Sequence, residues 1–217
     1  MKESIKAKKE RIKAILDAFD AEYGTDYRCY LDHDNAWQLL IATILSAQCT
    51  DARVNIVTKD LFKRYKSVYD FASADFDELC EYIKPCGFFR SKAKNIISSS
   101  CDIVEKFGAN VPDNMDDLLL LAGVGRKTAN LILGDVYGKP GLVIDTHAIR
   151  LTNRIGLVKE KNPVKIEFAL QKIVPDDYKT RFCHQLVYHG RAVCRAQKPD
   201  CGNCLIAHLC KKVGIKK

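Results

Sequence analysis

Leu120-Leu121-Ala122-Gly123-Val124-Gly125-Arg126-Lys127-Thr128-Ala129 stands between two stretches of helical periodicity. Two glycines separated by one residue permit backbone angles closed to other residues, so the connection reads as a tight turn between helices. With no side chains there, the amides of the turn and of the following helix can point outward, and such donors at a helix N-terminus suit a phosphate. An ordinary helix–turn–helix link would carry the same glycines. Arg126 and Lys127 sharpen the choice. Both fall in the first turn of the second helix, at the positive end of its dipole, where each cation costs roughly 0.3–1 kcal/mol unless it points into water. A turn that meets a polyanion explains the pair. A lysine in that field sheds its proton more readily, and the free amine is a nucleophile able to form a Schiff base.

Outward from this turn the pattern is helical nearly throughout. Ile5, Ile12, Ile15, Leu16 and Phe19 form one apolar stripe. Asn35 is placed to cap a helix over Trp37 to Ala47, and Asp51 another through Phe62. Asp75-Phe76 leads into a short helix stopped by Pro85. Ser91 starts a helix that runs to Phe107 and ends at Gly108, and Asp113 or Asn114 caps Met115 to Leu121. Arg126 to Tyr137 ends at Gly138, and Asp145 to Ile155 ends at Gly156. Asn162-Pro163 opens a helix, and Pro175-Asp176-Asp177 opens the next, to His189 with a stop at Gly190. The one stretch with any strand character is Gly141 to Ile144, and the clear internal break is Gly138-Lys139-Pro140-Gly141. The expected class is all-α.

Past that break, Gly141-Leu142-Val143-Ile144-Asp145-Thr146-His147 delivers a carboxylate to a helix start. Asp145 reads first as an N-cap. Capping amides also hold a carboxylate ionised, and a fixed anion beside a sugar stabilises a cationic transition state. His147 reads as a structural residue or a phosphate contact. Near the end, Cys194, Cys201, Cys204 and Cys210 are spaced by six, two and five residues. Four thiolates so close in sequence can converge on one inorganic centre. Zinc sites usually pair two C-x2-C knuckles or include His, and this run has a single C-x2-C. Cysteine ligation also holds iron–sulfur clusters, which this spacing favours, and unrelated buried thiols are the third reading.

The bulk composition narrows the class. The chain has 217 residues, 47% apolar, with ten cysteines and a formal net charge of +8. That length allows one or two domains, and the charge suits a polyanion such as nucleic acid as well as it suits plain solvation. The longest apolar stretch, Trp37 to Ala47, is too short to span a bilayer. The Lys-rich start lacks the apolar core of a secretory signal. Abundant cysteine without an export signal points to a reducing, intracellular setting, with Cys29, Cys49, Cys80, Cys86, Cys101 and Cys183 mostly small buried hydrophobes. Lys211 to Lys217 reads as a frayed basic tail.

These residues together resemble a known family. Leu39-Leu40-Ile41-Ala42, Leu45-Ser46-Ala47-Gln48 with Thr50-Asp51, Ser91-Lys92-Ala93 with Asn95-Ile96, the hairpin from Gly123 to Asn130, Val143-Ile144-Asp145-Thr146-His147, and His189-Gly190-Arg191 before the cysteines recur in this order in the endonuclease III family of helix–hairpin–helix DNA glycosylases. The likeness covers nearly the whole chain. It implies an all-helical fold of two domains with the active cleft between them. One is a six-helix barrel over 29–140 with its hairpin at about 121–127. The other is discontinuous, 1–28 plus 141–217, and holds one structural 4Fe–4S cluster on Cys194, Cys201, Cys204 and Cys210, in the loop 194–210.

The resemblance also assigns roles. It places the nucleophile on Lys127 and the carboxylate on Asp145. DNA contacts fall on Gln48, which fills the gap left by the extruded nucleotide, on Phe88 as an apolar wedge, on Gly123, Val124, Gly125 and Arg126 of the hairpin, and on His147. Core packing is the bland reading of Phe88, and a solvated surface that of Arg195 and Lys198 in the cluster loop. The implied activity is that of a bifunctional glycosylase and AP lyase acting, as a monomer in a prokaryotic cytoplasm or nucleoid with no membrane partner, on double-stranded DNA containing damaged pyrimidines or abasic sites. The rivals are a monofunctional mismatch glycosylase of the same superfamily and a non-catalytic DNA-binding iron–sulfur protein. Two positions depart from the family pattern: Ala122, where the hairpin often has Pro, and Cys49, where a small residue is common.

Overall fold

Local capping accounts for most element boundaries. In the computed structural model, which describes residues 3–27 and 29–215, the Ser4 hydroxyl accepts from the Ala7 amide and opens α1 (Ile5–Tyr23). Asn35 caps α2 (Ala36–Ser46) as expected. For α3 (Asp51–Arg64) the cap is Thr50 rather than Asp51. Asp51 is instead the first helical residue, where its charge suits the dipole. The sequence reading missed α4 (Val68–Ala72), in which Ser67 and Asp70 close a capping box; five residues are too few to show a period. Asp75 caps α5 (Phe76–Ile83), after which Pro85 sits in a 3-10 turn, Lys84–Cys86. The next helix, α6 (Phe89–Phe107), begins two residues before Ser91, on the left-handed backbone of Phe88 (φ 47°). Asn114 caps α7 (Met115–Leu120), Gly125 precedes α8 (Arg126–Asp135), and Asp145 caps α9 (Thr146–Ile155). Pro163 sits at the first position of α10 (Pro163–Gln171), and a 3-10 turn, Asp176–Tyr178, leads into α11 (Lys179–Ala192).

Three further expectations are corrected. The eighth helix stops at Asp135, short of Tyr137. Gly141 to Ile144 is not a strand, and none occurs among the described residues; the Gly141 amide donates to the Thr180 hydroxyl at 3.3 Å, with no neighbouring ladder. And α11 runs through Gly190 rather than ending there. A Cβ at Gly190 would lie 2.5 Å from His147 Nδ1 and 2.9 Å from Arg150 Nη2, so this glycine serves the packing of α11 on α9 and not helix termination.

The chain divides into two compact units, Cys29–Gly138 and Met1–Arg28 with Lys139–Lys217. The division falls in the Gly138-Lys139-Pro140-Gly141 break. In the first unit, α2 is buried from Leu39 through Leu45, which explains its near-continuous apolar sequence. Trp37 of α2 meets Phe62 edge-on and Phe71 at a tilt, and Phe71 stacks on Tyr65. In the second, Ile12, Ile15, Leu16 and Phe19 of α1 meet Leu151, Ile155, Phe182 and Leu186. Each such side chain contributes roughly 1.5–3 kcal/mol of burial free energy before chain entropy is counted.

Polar ties close this second unit. The Asp20 carboxylate accepts from Arg181 and from Gln185 Nε2 (2.8 Å). Arg11 donates to the carbonyls of Ile155, Gly156 and Leu209 and pairs with Glu3 at 2.7 Å. It thereby satisfies the open end of α9, whose last carbonyls lack helical partners. The basic tail is not frayed over its described part. Lys211 pairs with Glu3, its amide donates to Ile155 O, and that of Val213 donates to Arg154 O. Lys216 and Lys217 lie outside the described residues. Among those described, no helix is long and apolar enough to cross a membrane.

Candidate nucleic-acid interface and cysteine loop

The hairpin is built from the end of α7 and the start of α8. Leu121 turns the chain, Val124 is buried, and the Val124 amide donates back to Leu121 O at 3.1 Å. Gly123 has φ 78°, and a Cβ there would come within 3.0–3.2 Å of the Asn95 side chain. Glycine is therefore required at this position by backbone and by packing. Gly125 is different, which corrects the reading of the two glycines as equivalent: its φ of −104° is open to any residue, and no atom lies within 4 Å of the place a Cβ would take. What Gly125 supplies is open space in front of the first turn of α8. Gly125 has no side chain with which to cap that turn, and the first amides of a helix, which lack intrahelical acceptors, are the donors that phosphate binding uses. Lys127 is exposed there, and no carboxylate among the described residues pairs with it.

Asp145 performs its capping role, accepting from the Ala148 amide at 2.7 Å through Oδ1. It is half-buried at the head of α9. His147, in the first turn of α9, meets Arg150 Nη2 through Nδ1 at 3.1 Å and packs on Gly190. Burial lowers its pKa, with Asp145 acting against that and Arg150 adding to it, so the ring is held towards its neutral form.

Gln48 and Phe88 share an uncommon backbone. Both lie in the left-handed region (φ 54° and 47°), which non-glycine residues seldom adopt and which clusters at functional sites. Phe88 is 66% exposed, so its bland reading as core is excluded; Phe89 takes that role instead. Gln48 is exposed as well. Sequence reasoning assigned no role to Lys92, which is 4% exposed and donates to the carbonyls of Leu45 (2.8 Å) and Cys86 (2.9 Å). The sequence offered only a lysine inside a helical apolar pattern, which does not show what its ammonium would bond. Burial holds its pKa below the usual lysine value.

Cys194, Cys201, Cys204 and Cys210 line one pocket, with Leu151, Ile155 and Ile206 on its apolar side. Among the described residues no three His, Cys, Asp or Glu close on one point as a single-ion site requires. Burial, then the charge of the neighbouring sulfurs, pushes the thiols of Cys204 and Cys210 up. Four thiolates here thus need a cationic centre between them. Donors surround the sulfurs: the Lys212 amide reaches Cys210 at 3.3 Å, Arg154 Nη1 reaches Cys194 at 3.5 Å, and His189 Nε2 stands 3.4 Å from Cys204. Burial pulls the His189 pKa down to about 4. Tyr23 Oη lies 2.8 Å from Nδ1, and when the phenol donates there the neutral ring carries its proton on Nε2, facing the sulfur. All-sulfur ligation, wide spacing and N–H donors to sulfur fit an iron–sulfur cluster better than zinc.

Comparison with known proteins bears on this geometry. Residues 41–176 match the family described as HhH-GPD superfamily base excision DNA repair protein, a span that takes in the hairpin and Asp145. The endonuclease III of Synechocystis sp. is 48% identical over 205 residues, 94% of this chain and 93% of its own length. That of Bacillus subtilis is 42% identical over 185 residues, 85% and 84% of the two chains. The chain belongs to the endonuclease III family. Among solved structures, a non-covalent endonuclease III–DNA complex superposes with a TM-score of 0.87 at 38% identity, covering 94% of this chain and 95% of that one. A trapped endonuclease III–DNA covalent intermediate agrees equally well, at 0.87 and 38%, over 94% and 96%. A thermostable thymine-DNA glycosylase, 23% identical with a TM-score of 0.82, shares the fold.

Proposed function

We propose that this chain is a bifunctional DNA glycosylase and AP lyase that excises oxidised or ring-saturated pyrimidines from double-stranded DNA and nicks the strand 3′ to the abasic site. One observation carries the reading. An exposed primary amine, Lys127, stands in the uncapped first turn of α8 with no carboxylate partner among the described residues, in a chain whose relatives include a protein trapped covalently on DNA.

The amides behind Gly123 and Gly125, with Arg126, hold a phosphate and fix position without reading sequence. A damaged pyrimidine leaves the stack at a cost of a few kcal/mol, less than an intact pair demands. Gln48 fills the vacated space and Phe88 wedges beside it. As the glycosidic bond stretches, positive charge develops on the sugar, and Asp145, with Oδ1 engaged by the Ala148 amide, turns Oδ2 to that charge. The neutral amine of Lys127 bonds to C1′ while the base departs with the bonding pair and takes up a proton. Ring opening and loss of the amine proton give a Schiff base. The iminium acidifies the 2′ hydrogen, whose removal expels the 3′ phosphate, and water then hydrolyses the imine and restores Lys127. His147 backs the phosphate side of Asp145. Cys194, Cys201, Cys204 and Cys210 would hold one 4Fe–4S cluster as a structural cross-link of the C-terminal loop. The protein acts as a monomer.

Abasic and thymine-glycol duplexes incubated with the protein and borohydride test this. The expected result is a covalent protein–DNA complex and, without borohydride, a β-elimination product, both lost in Lys127→Ala. A monofunctional glycosylase would release base and leave the strand intact. A non-catalytic cluster protein would bind with a steep salt dependence and do no chemistry.

A further inference from the structure

Lys92 lies outside every role assigned so far. It sits in the first turn of α6, nearly sealed from solvent, and its ammonium spans two carbonyls from different elements: Leu45 O at 2.8 Å and Cys86 O at 2.9 Å. Leu45 is in the last turn of α2, and Cys86 ends the 3-10 turn that follows α5. Carbonyls at helix ends lack intrahelical partners and carry the negative end of the dipole. One buried cation therefore stabilises two such ends at once. Gln48 follows Leu45 by three residues, and Phe88 follows Cys86 by two. Both are exposed, and both are held in left-handed backbone that nothing in their own side chains explains. Strained residues persist only where their surroundings fix them. The two stems meet directly through the Cys49 and Cys86 side chains, and the charged group that bonds the backbone of both is Lys92.

We propose that Lys92 is a positioning residue that fastens the Gln48 turn to the Phe88 turn through its ammonium, so that the two side chains enter the base stack as one unit. It touches neither DNA nor the reacting atoms. The proposal rests on the reading of Gln48 and Phe88 as the groups that replace and wedge the extruded base. A lysine is suited to the place because its three N–H donors sit on a compact head that can serve two acceptors. Methionine would keep the volume and lose both bonds, leaving two carbonyls buried without donors.

The test separates base extrusion from imine chemistry. Single-turnover excision of thymine glycol from duplex DNA needs both turns. Borohydride trapping on a single-stranded abasic oligonucleotide needs Lys127 but has no base to extrude and no partner strand to hold open. In Lys92→Met, duplex excision is expected to fall about 10–100-fold, the range a small misplacement produces, while single-strand trapping stays within about threefold of wild type. In a Gln48→Ala/Phe88→Ala background, adding Lys92→Met should cause no further loss of excision, because the turns it positions no longer act. Equal losses on both substrates, no loss on the duplex, or full additivity in that background would each overturn the proposal. If circular dichroism shows Lys92→Met unfolded, Lys92→Arg, which keeps the charge, is measured in the same way; it should lose duplex excision selectively, and an equal loss on both substrates again overturns the proposal. Failure of wild-type protein to trap at all would refute the lyase reading instead, so the two failures are distinct.

Discussion

At the level of single residues, the proposed function divides the work of the two hairpin glycines between folding and binding. Gly123→Ala forces a left-handed backbone on a residue with a Cβ and drives that carbon against Asn95. A stability loss of about 1–2 kcal/mol is expected, visible as a lower urea midpoint. Gly125→Ala meets no atom and no forbidden angle. Its midpoint should match wild type while its affinity for abasic duplex falls several-fold, because the methyl stands where a phosphate oxygen must approach. An equal drop in stability for both variants would contradict this division. Asp145→Asn keeps an N-cap of similar quality and removes the negative charge. It should fold normally and excise base about 10²–10³-fold more slowly, the usual effect of losing one electrostatic stabiliser; base excision at the wild-type rate would take the carboxylate out of the scheme. The sequence singles out Lys127, Asp145 and the four cysteines as candidates because each stands in a motif whose spacing has a chemical reason. Lys92 was not legible. Its partners are main-chain carbonyls 47 and 6 residues away, and a carbonyl leaves no trace in residue identity.

Among elements, the reading succeeded where an Asn or Asp could meet the first amides of a long apolar period, as for α2 and α9. It slipped by one residue at Thr50, because Thr50 and Asp51 are both competent caps and only the backbone decides between them. It failed at α4, whose capping box precedes too short a helix for a period to register. Gly190 shows a different failure. Glycine usually marks a helix end, yet here it lies inside α11 because α9 crosses there with His147 and Arg150. Gly190→Ala should gain about 1 kcal/mol of helix propensity and lose more from overpacking, roughly 1–3 kcal/mol. The net expectation is a lower thermal midpoint together with weaker DNA binding, since His147 must move. A midpoint higher than wild type would show that the crossing has room to relax.

Across the whole molecule, one compact unit is assembled from both ends of the chain, and Glu3 joins them. It pairs with Arg11 of α1 and with Lys211 beyond the cysteine run, at 2.7 Å each. The hydrogen bonds from Arg11, aided by Lys211, hold its carboxyl near a pKa of about 2, against 4.5 ordinarily. A depressed pKa means stabilisation that is complete above the unfolded value and is lost as pH falls towards the folded one. Between about pH 5 and pH 2, wild type should therefore lose about 1 kcal/mol more stability than Glu3→Gln, a figure reduced to allow for solvent screening of a pair at the surface. Parallel stability curves for the two proteins would remove Glu3 from this role. The central claim concerns the intact protein bound to its substrate, and one measurement addresses it most directly: peptide mapping by mass spectrometry of the borohydride-reduced complex with an abasic duplex. A deoxyribose-derived adduct on Lys127 is expected, absent from Lys127→Ala. An adduct on another residue, or strand cleavage that persists in Lys127→Ala, would contradict the account.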